Sequence, residues 1–532
     1  MTRKINICFF RNSFRVHDNQ ALYNAIFEKS AHLLPIVCLD PRMIDLSKLN
    51  SRLSTDYKTP TTWNFHIERC AHYRTRFVIE SVMALEKELQ KRKSNLLILF
   101  GKPERLLKEL SEFLKKNDCE IHQIHTHKEY AYEELVVEKE LTKIWNKDIA
   151  FHHDTTMIHP DDVDFTFEQT PKVYAHFRRR IEKMNQPVRP LLQIPDELPA
   201  FPDIIWKFSH AEQGKDLLKE LYEAFAFEKD KRSAFPWPGG EDAARERLEN
   251  YLFKTDGAIH YKQTRNGMIG TEYSTKFSAY LSHGCLSPRL IWHELNRLQS
   301  QKKIDKTGGD EDGIYWIRFE LLWRDFFRFL VAGSGNRVFH LHGFRDMSNK
   351  EAQEDLKKKN SYSNKVWKSN DDQFNKWKVG QTGMPYIDAS MRELVNTGFL
   401  NNRGRQNVAS YIAKDLELDW RIGAEWFESL LKDHDVYSNY GNWQYGNRDY
   451  DPDGDYIRLW CPELKNLPVE YVHCPWRMSK EEQEKYKCVI GKDYPEPILV
   501  VENWKRYYPS APNGKRISDY FVADKNKKTK HE

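Results

Sequence analysis

The sequence predicts two domains of different class: an amino-terminal α/β domain built on a parallel, Rossmann-like sheet, and a larger carboxy-terminal domain that is all helix. Three observations carry this prediction. Short apolar runs alternate with helical patterns through roughly the first third of the chain, the pattern of a parallel sheet covered on both faces. Seven prolines then interrupt the periodicity between Pro160 and Pro202. From about Pro238 the apolar spacing is helical almost throughout. A chain of 532 residues exceeds one core and suffices for two.

The elements follow in order. Ile5–Phe10, Leu33–Leu39, Asn95–Phe100 and Ile121–His125 are the predicted strands, with helices at Arg76–Lys93 and Pro103–Lys116 among them. No GxGxxG motif follows any strand, so a dehydrogenase-type dinucleotide site is not indicated. Residues 1–160 are assigned to the α/β domain and 161–225 to a connector carrying a short basic helix, Val173–Lys183. The helical domain is assigned to 226–504, opening with an acidic helix start in GGEDAARERLENYL. Residues 505–532 read as a basic tail, expected to be disordered and solvated, with non-specific phosphate contact as the alternative.

Composition narrows the function classes. Charged residues make up 30% of the chain and no apolar run approaches a membrane span. A net charge of +5 is too mild to bind nucleic acid except through a local patch. Eight cysteines without a CxxC read as reduced thiols, and no metal site is expected. The first residues, MTRKINICFF, run directly into a strand; no targeting peptide is expected, which favours cytoplasm or nucleus.

The most informative stretch is LELDWRIGAEWFESLLKDHDVYSNYGNWQYG, from Leu416 to Gly446. Trp420, Phe427, Leu430 and Leu431 have helical spacing, and Asp433 and Asp435 flank His434 where that helix should end. Asn439, Gly441 and Asn442 then read as turn formers. The pattern describes acids and an amide delivered into an indole-rimmed loop, suited to a planar, sugar-bearing ligand. On spacing alone it equally describes a helix cap with core tryptophans. Elsewhere Glu320 and Trp323, three apart in YWIRFELLWRDFFRFL, share a helix face, and Arg324 and Arg328 share an adjoining one.

These stretches, together with FFRNSFRVHDN, YKQTRNGMIGTEYSTKFSAYLSHGCLSPR and NNRGRQNVASYIAKDLELDW, occur in the order found in the photolyase/cryptochrome superfamily. The chain resembles the DASH cryptochromes most, to about Glu502. The resemblance implies an FAD-binding helical domain and blue-light repair of cyclobutane pyrimidine dimers, preferably in single-stranded DNA. A signalling photoreceptor with little or no repair is the alternative. It implies flavin contacts from Tyr261, Ser274, Thr275, Phe277, Ser278, Asn402, Arg405, Asp433, Asp435 and Asn439, with Asn439 facing N5. Hydroxyls and amides at a helix N-terminus suit the diphosphate, although Ser274 or Thr275 would equally serve as an ordinary N-cap. Glu320 and Trp323 would meet the dimer, with Arg403, Gln406 and Tyr445 beside it. Trp443, Trp420 and Trp367 would carry electrons from the surface to the flavin.

In the first domain the resemblance implies an antenna, usually a folate such as 5,10-methenyltetrahydrofolate. Glu129 is its expected carboxylate ligand, with Glu133 as substitute, or else Glu129 is a solvated acid at a helix start. Three departures qualify the pattern. Ser13-Phe14 stands where Asp-Leu is usual, which leaves the antenna's identity open. Gln406 and Tyr445 replace the Met and Trp of ordinary dimer photolyases. Only Asn447–Tyr450 occupies a position where DASH proteins carry a longer insertion, so strand preference, and whether RNA is bound, stays open. A monomer is expected. ISDYF in the tail resembles a sliding-clamp docking box, with Gly514 where its glutamine belongs.

Overall fold

The computed structural model describes residues 2–500, except 28–31, 54–55, 146–147, 185–186, 205, 207, 209–213, 303–311, 346–347, 349–353, 355–366, 445–450 and 452. Tyr445, the segment Asn447–Tyr450 and the whole basic tail, with its docking-box resemblance, therefore lie outside the described residues.

Five parallel strands form one sheet: β1 (Arg3–Phe10), β2 (His32–Leu39), β3 (Leu97–Phe100), β4 (Cys119–His127) and β5 (Ile149–His152), in the order β3-β2-β1-β4-β5. Four strands coincide with predicted runs. β5 was not expected, because IAFH is four residues long and only Ile149 of it is buried. Helices α1 (Gln20–Phe27), α2 (His72–Lys91), α3 (Pro103–Lys116) and α4 (Tyr132–Trp145) complete the domain. Side-chain alternation along β1 divides its faces. Ile5, Ile7 and Phe9 join α3 and α4 in one core, while Cys8 and Phe10 belong to a second core that continues into the helical domain.

The connector crosses through α5 (Tyr174–Glu182), one residue inside the predicted basic helix at each end. In the second domain the elements that matter are α6 (Ser278–Ser282), α7 (Gly313–Ser334), α8 (Pro385–Thr397), α9 (Asn402–Ser410), α10 (Trp420–Leu430) and α11 (Val436–Trp443). α7 is central: Asp312 caps its start by accepting from the Tyr315 amide, and Gly335, at φ +57°, ends it. No helix among the described residues is long and apolar enough to cross a membrane.

Two expectations are corrected. SNYGNW, read as a loop, is the helix α11. Asp435 caps it, accepting from the Ser438 amide at 2.8 Å, and Gly441 is needed inside it because a Cβ there would sit 2.3 Å from the Phe327 ring on α7. Close packing, not a turn, explains that glycine. Nor do Ser274 and Thr275 cap a helix. They precede α6, which is a single turn flanked by Phe277 with no side-chain cap.

The domains dock along the carboxyl ends of the strands. Gly284, at φ +61°, lets backbone approach so closely that a Cβ would lie 2.3 Å from the Asn12 carbonyl. Buried polar contacts fasten the seam. Arg289 donates twice to Asp18, at 2.9 Å each, and His17 Nδ1 meets Glu241 at 2.6 Å.

Candidate functional site

Behind this seam, inside the helical domain, lies a cavity of about 350 Å³. Its walls come from the loop before α6, from α7, α9 and α11, and from the turn between α10 and α11. Of the expected flavin contacts, Tyr261, Ser274, Thr275, Phe277, Ser278, Asn402, Arg405, Asp433, Asp435 and Asn439 all line it. Glu320, Gln406 and Trp443 line it too. The sequence pattern thus brings most of the named set to one place.

One wall is an anion cradle. The backbone carbonyls of Thr271, Ser274 and Thr275 accept from the buried Arg247 guanidinium at 3.3, 3.0 and 3.1 Å. This splint fixes the loop whose Ser274 and Thr275 line the cavity. Between them stands Lys276, in a left-handed conformation at φ +59° and only 3% exposed. Its ammonium lies 3.1 Å from the centroid of the Tyr273 ring and has no hydrogen-bond partner among the described residues. Burial pulls its pKa well down, against the raising effect of Glu393. Lys276 lines the cavity and was not singled out in the sequence. A lysine among hydroxyl residues reads there as an exposed side chain, and only its burial reveals an amino group left without a hydrogen-bond partner among the described residues.

The opposite wall is built from carboxylates already paired. Asp433 accepts from Arg405 at 2.9 and 2.8 Å. Asp435 accepts from Arg328 at 2.5 Å. Burial pushes the Asp435 carboxyl up, but Arg328 and Arg324 outweigh it and hold the group down to about 2. Asn439 donates to the Ala424 carbonyl at 2.9 Å, which leaves its amide oxygen for a ligand. Paired acids, an oriented amide and a buried lysine without a hydrogen-bond partner form a set that suits FAD, a dinucleotide with an anionic bridge and a polar ring edge.

At the mouth, Glu320 is bonded to Arg265. Its side chain keeps 40% of its surface, yet desolvation by the surrounding walls raises its carboxyl above the ordinary value, against the lowering pull of Arg265. Trp323 does not line the cavity with Glu320. It stacks on Tyr174 of α5, with centroids 3.8 Å apart and planes at 11°. Arg403 likewise stands outside the lining, donating to Gln406 at 3.2 Å.

The three tryptophans differ in setting. Trp443 lines the cavity and packs over Gly423 of α10, where a Cβ would lie 2.3 Å from its ring. Trp420 begins α10, 1% exposed, and donates to the Leu341 carbonyl at 3.1 Å. Trp367 is partly buried beside the start of α10, held there by the Lys368 amide donating to the Glu417 carbonyl at 2.8 Å. A fourth indole, Trp377, lies 6.4 Å from Trp443 centroid to centroid and was not anticipated.

A smaller cavity of about 70 Å³ lies in the seam, with Glu129, Glu133, Arg69 and Tyr437 in its walls. Glu129 is no solvated acid: it is 3% exposed and accepts from Tyr437 of α11 at 2.6 Å. Glu133 pairs with Arg69 and the Trp63 indole. Among the described residues no cluster of side chains could hold a metal ion.

Comparison with known proteins agrees with this geometry. The family described as "DNA photolyase" matches residues 6–200, and the "FAD binding domain of DNA photolyase" matches 316–508. The chain is similar to cryptochrome DASH of Xenopus laevis, 37% identical with 96% of this chain and 92% of the relative covered. It is also similar to cryptochrome DASH of Gloeobacter violaceus, 38% identical with 94% of each covered. The crystal structure of a Synechocystis cryptochrome superposes with a TM-score of 0.80 at 35% identity, covering 94% of this chain and 97% of the other. A class III photolyase from Agrobacterium tumefaciens shares the fold, with a TM-score of 0.70 at 23% identity over 99% of this chain and 98% of the other.

Proposed function

This chain belongs to the photolyase/cryptochrome superfamily as an FAD flavoprotein of the DASH type, and from that premise we propose that it is a blue-light enzyme that splits cyclobutane pyrimidine dimers, preferentially in single-stranded DNA. The observation that supports repair over signalling alone is Glu320. It stands at the cavity mouth with a raised carboxyl beside Arg265, ready to hold a proton toward a thymine carbonyl as negative charge develops there.

FAD, when bound, supplies the light absorption and the electron that opens the dimer. The chain's own residues hold, orient and shield. Lys276 and the hydroxyls of Ser274, Thr275 and Ser278 take the diphosphate. Asp433 and Asp435, fixed by Arg405 and Arg328, and the Asn439 amide orient the ring. Trp323, stacked on Tyr174, and Tyr445 are proposed to meet a flipped base. Arg403 and its neighbours attract the phosphates. Flipping costs a few kcal/mol and least where the strand is already single, which favours single-stranded substrate. Trp443, Trp420 and Trp367 are proposed to return an electron from the surface when the flavin must be reduced. The enzyme is proposed to act as a monomer in cytoplasm or nucleus, and a folate antenna is proposed at Glu129, where its pterin edge would displace the Tyr437 hydroxyl.

Oligonucleotides carrying one dimer test this directly. Blue light should remove dimers from single-stranded DNA faster than from duplex, with Glu320→Gln slowed at least about tenfold, the loss of a charge-assisted contact. Unchanged dimers on both substrates would leave the signalling photoreceptor as the reading. That alternative has its own support: Arg265 occupies Glu320, and Gln406 and Tyr445 stand where dimer photolyases carry Met and Trp.

A further inference from the structure

Tyr440, between Asn439 and the Trp443 wall on α11, takes no part in the site described. It is 4% exposed, and its ring centroid lies 6.2 Å from that of Trp420, edge-on at 76°. Its hydroxyl donates to Glu428 at 3.2 Å. Glu428, on α10 two turns beyond Trp420, is itself 4% exposed and accepts from Arg69 Nε at 2.8 Å. A redox-active phenol therefore touches the middle tryptophan of the proposed path, with a buried carboxylate at its oxygen.

We propose that Tyr440 and Glu428 form a proton-coupled branch of the tryptophan path, in which the oxidised Trp420 is refilled from Tyr440 while the phenolic proton moves to Glu428. The inference rests on the photochemical reading of the cavity. The oxidant is Trp420 after it has given one electron, through Trp443, to light-excited flavin. One electron leaves the Tyr440 ring and restores a neutral indole. The O–H bond breaks and its proton crosses the existing hydrogen bond. What remains is a neutral tyrosyl radical and a protonated carboxyl. A thiol reductant returns one electron to the tyrosyl, and the Glu428 proton goes back to its oxygen.

The surroundings favour this direction. Trp420 is 1% exposed, so a positive charge on its ring is poorly solvated. Moving the hole to Tyr440 ends with no charge on either ring. Burial pushes the Tyr440 phenol well above its ordinary range, so it stays protonated until oxidised, when it becomes a strong acid. Burial also pushes Glu428 up, but Arg69, His434 and Arg74 outweigh it and keep the carboxylate ionised. Arg69 keeps a second partner in Glu133 when Glu428 takes the proton.

The test is electron paramagnetic resonance of the flavin-loaded full chain, frozen under blue light without added reductant, with natural or ring-deuterated tyrosine. The account expects a tyrosyl signal that narrows on deuteration and is lost in Tyr440→Phe, leaving a tryptophanyl signal. Glu428→Gln should keep the hydrogen bond, lose the tyrosyl and keep the tryptophanyl. If that variant fails to fold, Tyr440→Phe with labelled tyrosine decides alone. A tryptophanyl signal without tyrosyl in the unaltered chain overturns this branch and leaves the flavin reading standing. No light-induced radical of any kind overturns both.

Discussion

Lys276 concentrates the argument at the scale of single residues. Its amino group is buried over the Tyr273 ring without a hydrogen-bond partner among the described residues, which is costly, and the residue lies in the wall of the cavity, where a bound anion would relieve it. Lys276→Met should therefore lower flavin retention by about ten- to a hundredfold, the worth of a charge-assisted contact of about 1.5–3 kcal/mol. Lys276→Arg should retain most of it. The flavin-to-protein ratio after purification reads both. Asp435 makes a pH prediction. Its carboxyl is held at about 2, below the ordinary 3.8, so the Arg328 pair contributes stability that is full above about pH 4 and fades as acid approaches pH 2. That contribution is about 2 kcal/mol. Denaturant unfolding across this window should show the wild-type chain losing stability that Asp435→Asn has already lost. The residues lining the cavity were largely legible through the family resemblance, since the spacing of acids, amide and Trp443 between Asp433 and Trp443 described a capped helix equally well. Lys276 was not, since neither burial nor a left-handed backbone is written in composition.

At the scale of elements, helix packing decides what turn-forming residues mean. Gly441 and Asn442 suggest a loop by type, yet α11 is a helix capped by Asp435, and its glycine is there because the Phe327 ring of α7 occupies the space a side chain would need. The same logic on α10 gives a prediction. Gly423→Ala would press a methyl to 2.3 Å from Trp443, an overpacking worth about 1–3 kcal/mol. Thermal unfolding should register the loss, and light-driven flavin reduction should slow as Trp443 shifts from the cavity wall. Unchanged reduction in a chain destabilised by this amount would separate Trp443 from the electron path. Periodicity located α3 to the residue and four of five strands within a few positions. It missed β5, an edge strand of four residues with little burial to print a pattern. It also set Trp323 beside Glu320 on one face. They do share a face of the continuous helix α7, but only Glu320 lines the cavity, while α5 arrives from far back in the chain to stack Tyr174 on the indole, a long-range contact that no local spacing encodes.

For the whole molecule, the two domains share one core and one seam, so the large cavity and the smaller seam cavity are fixed relative to each other. Arg289 and Asp18 are 4% and 2% exposed as side chains. Removing one leaves the other buried and uncompensated, at a cost of about 3–5 kcal/mol. Arg289→Met should split a cooperative thermal transition into two, visible by calorimetry. The two-domain architecture was readable from strand–helix alternation and the proline-rich connector, and the family from long motifs in a fixed order. How the domains face each other was not readable, since it depends on Gly284 and on ion pairs between residues far apart in sequence. All of these scales meet in one claim, that the cavity binds flavin and exchanges light-driven electrons with the tryptophans beside it. The absorption spectrum of the purified chain, before and after blue light with a reductant, tests that claim most directly. The account predicts structured flavin bands in the visible that bleach under light and return in air. A folded, colourless protein that takes up no FAD on reconstitution would contradict it.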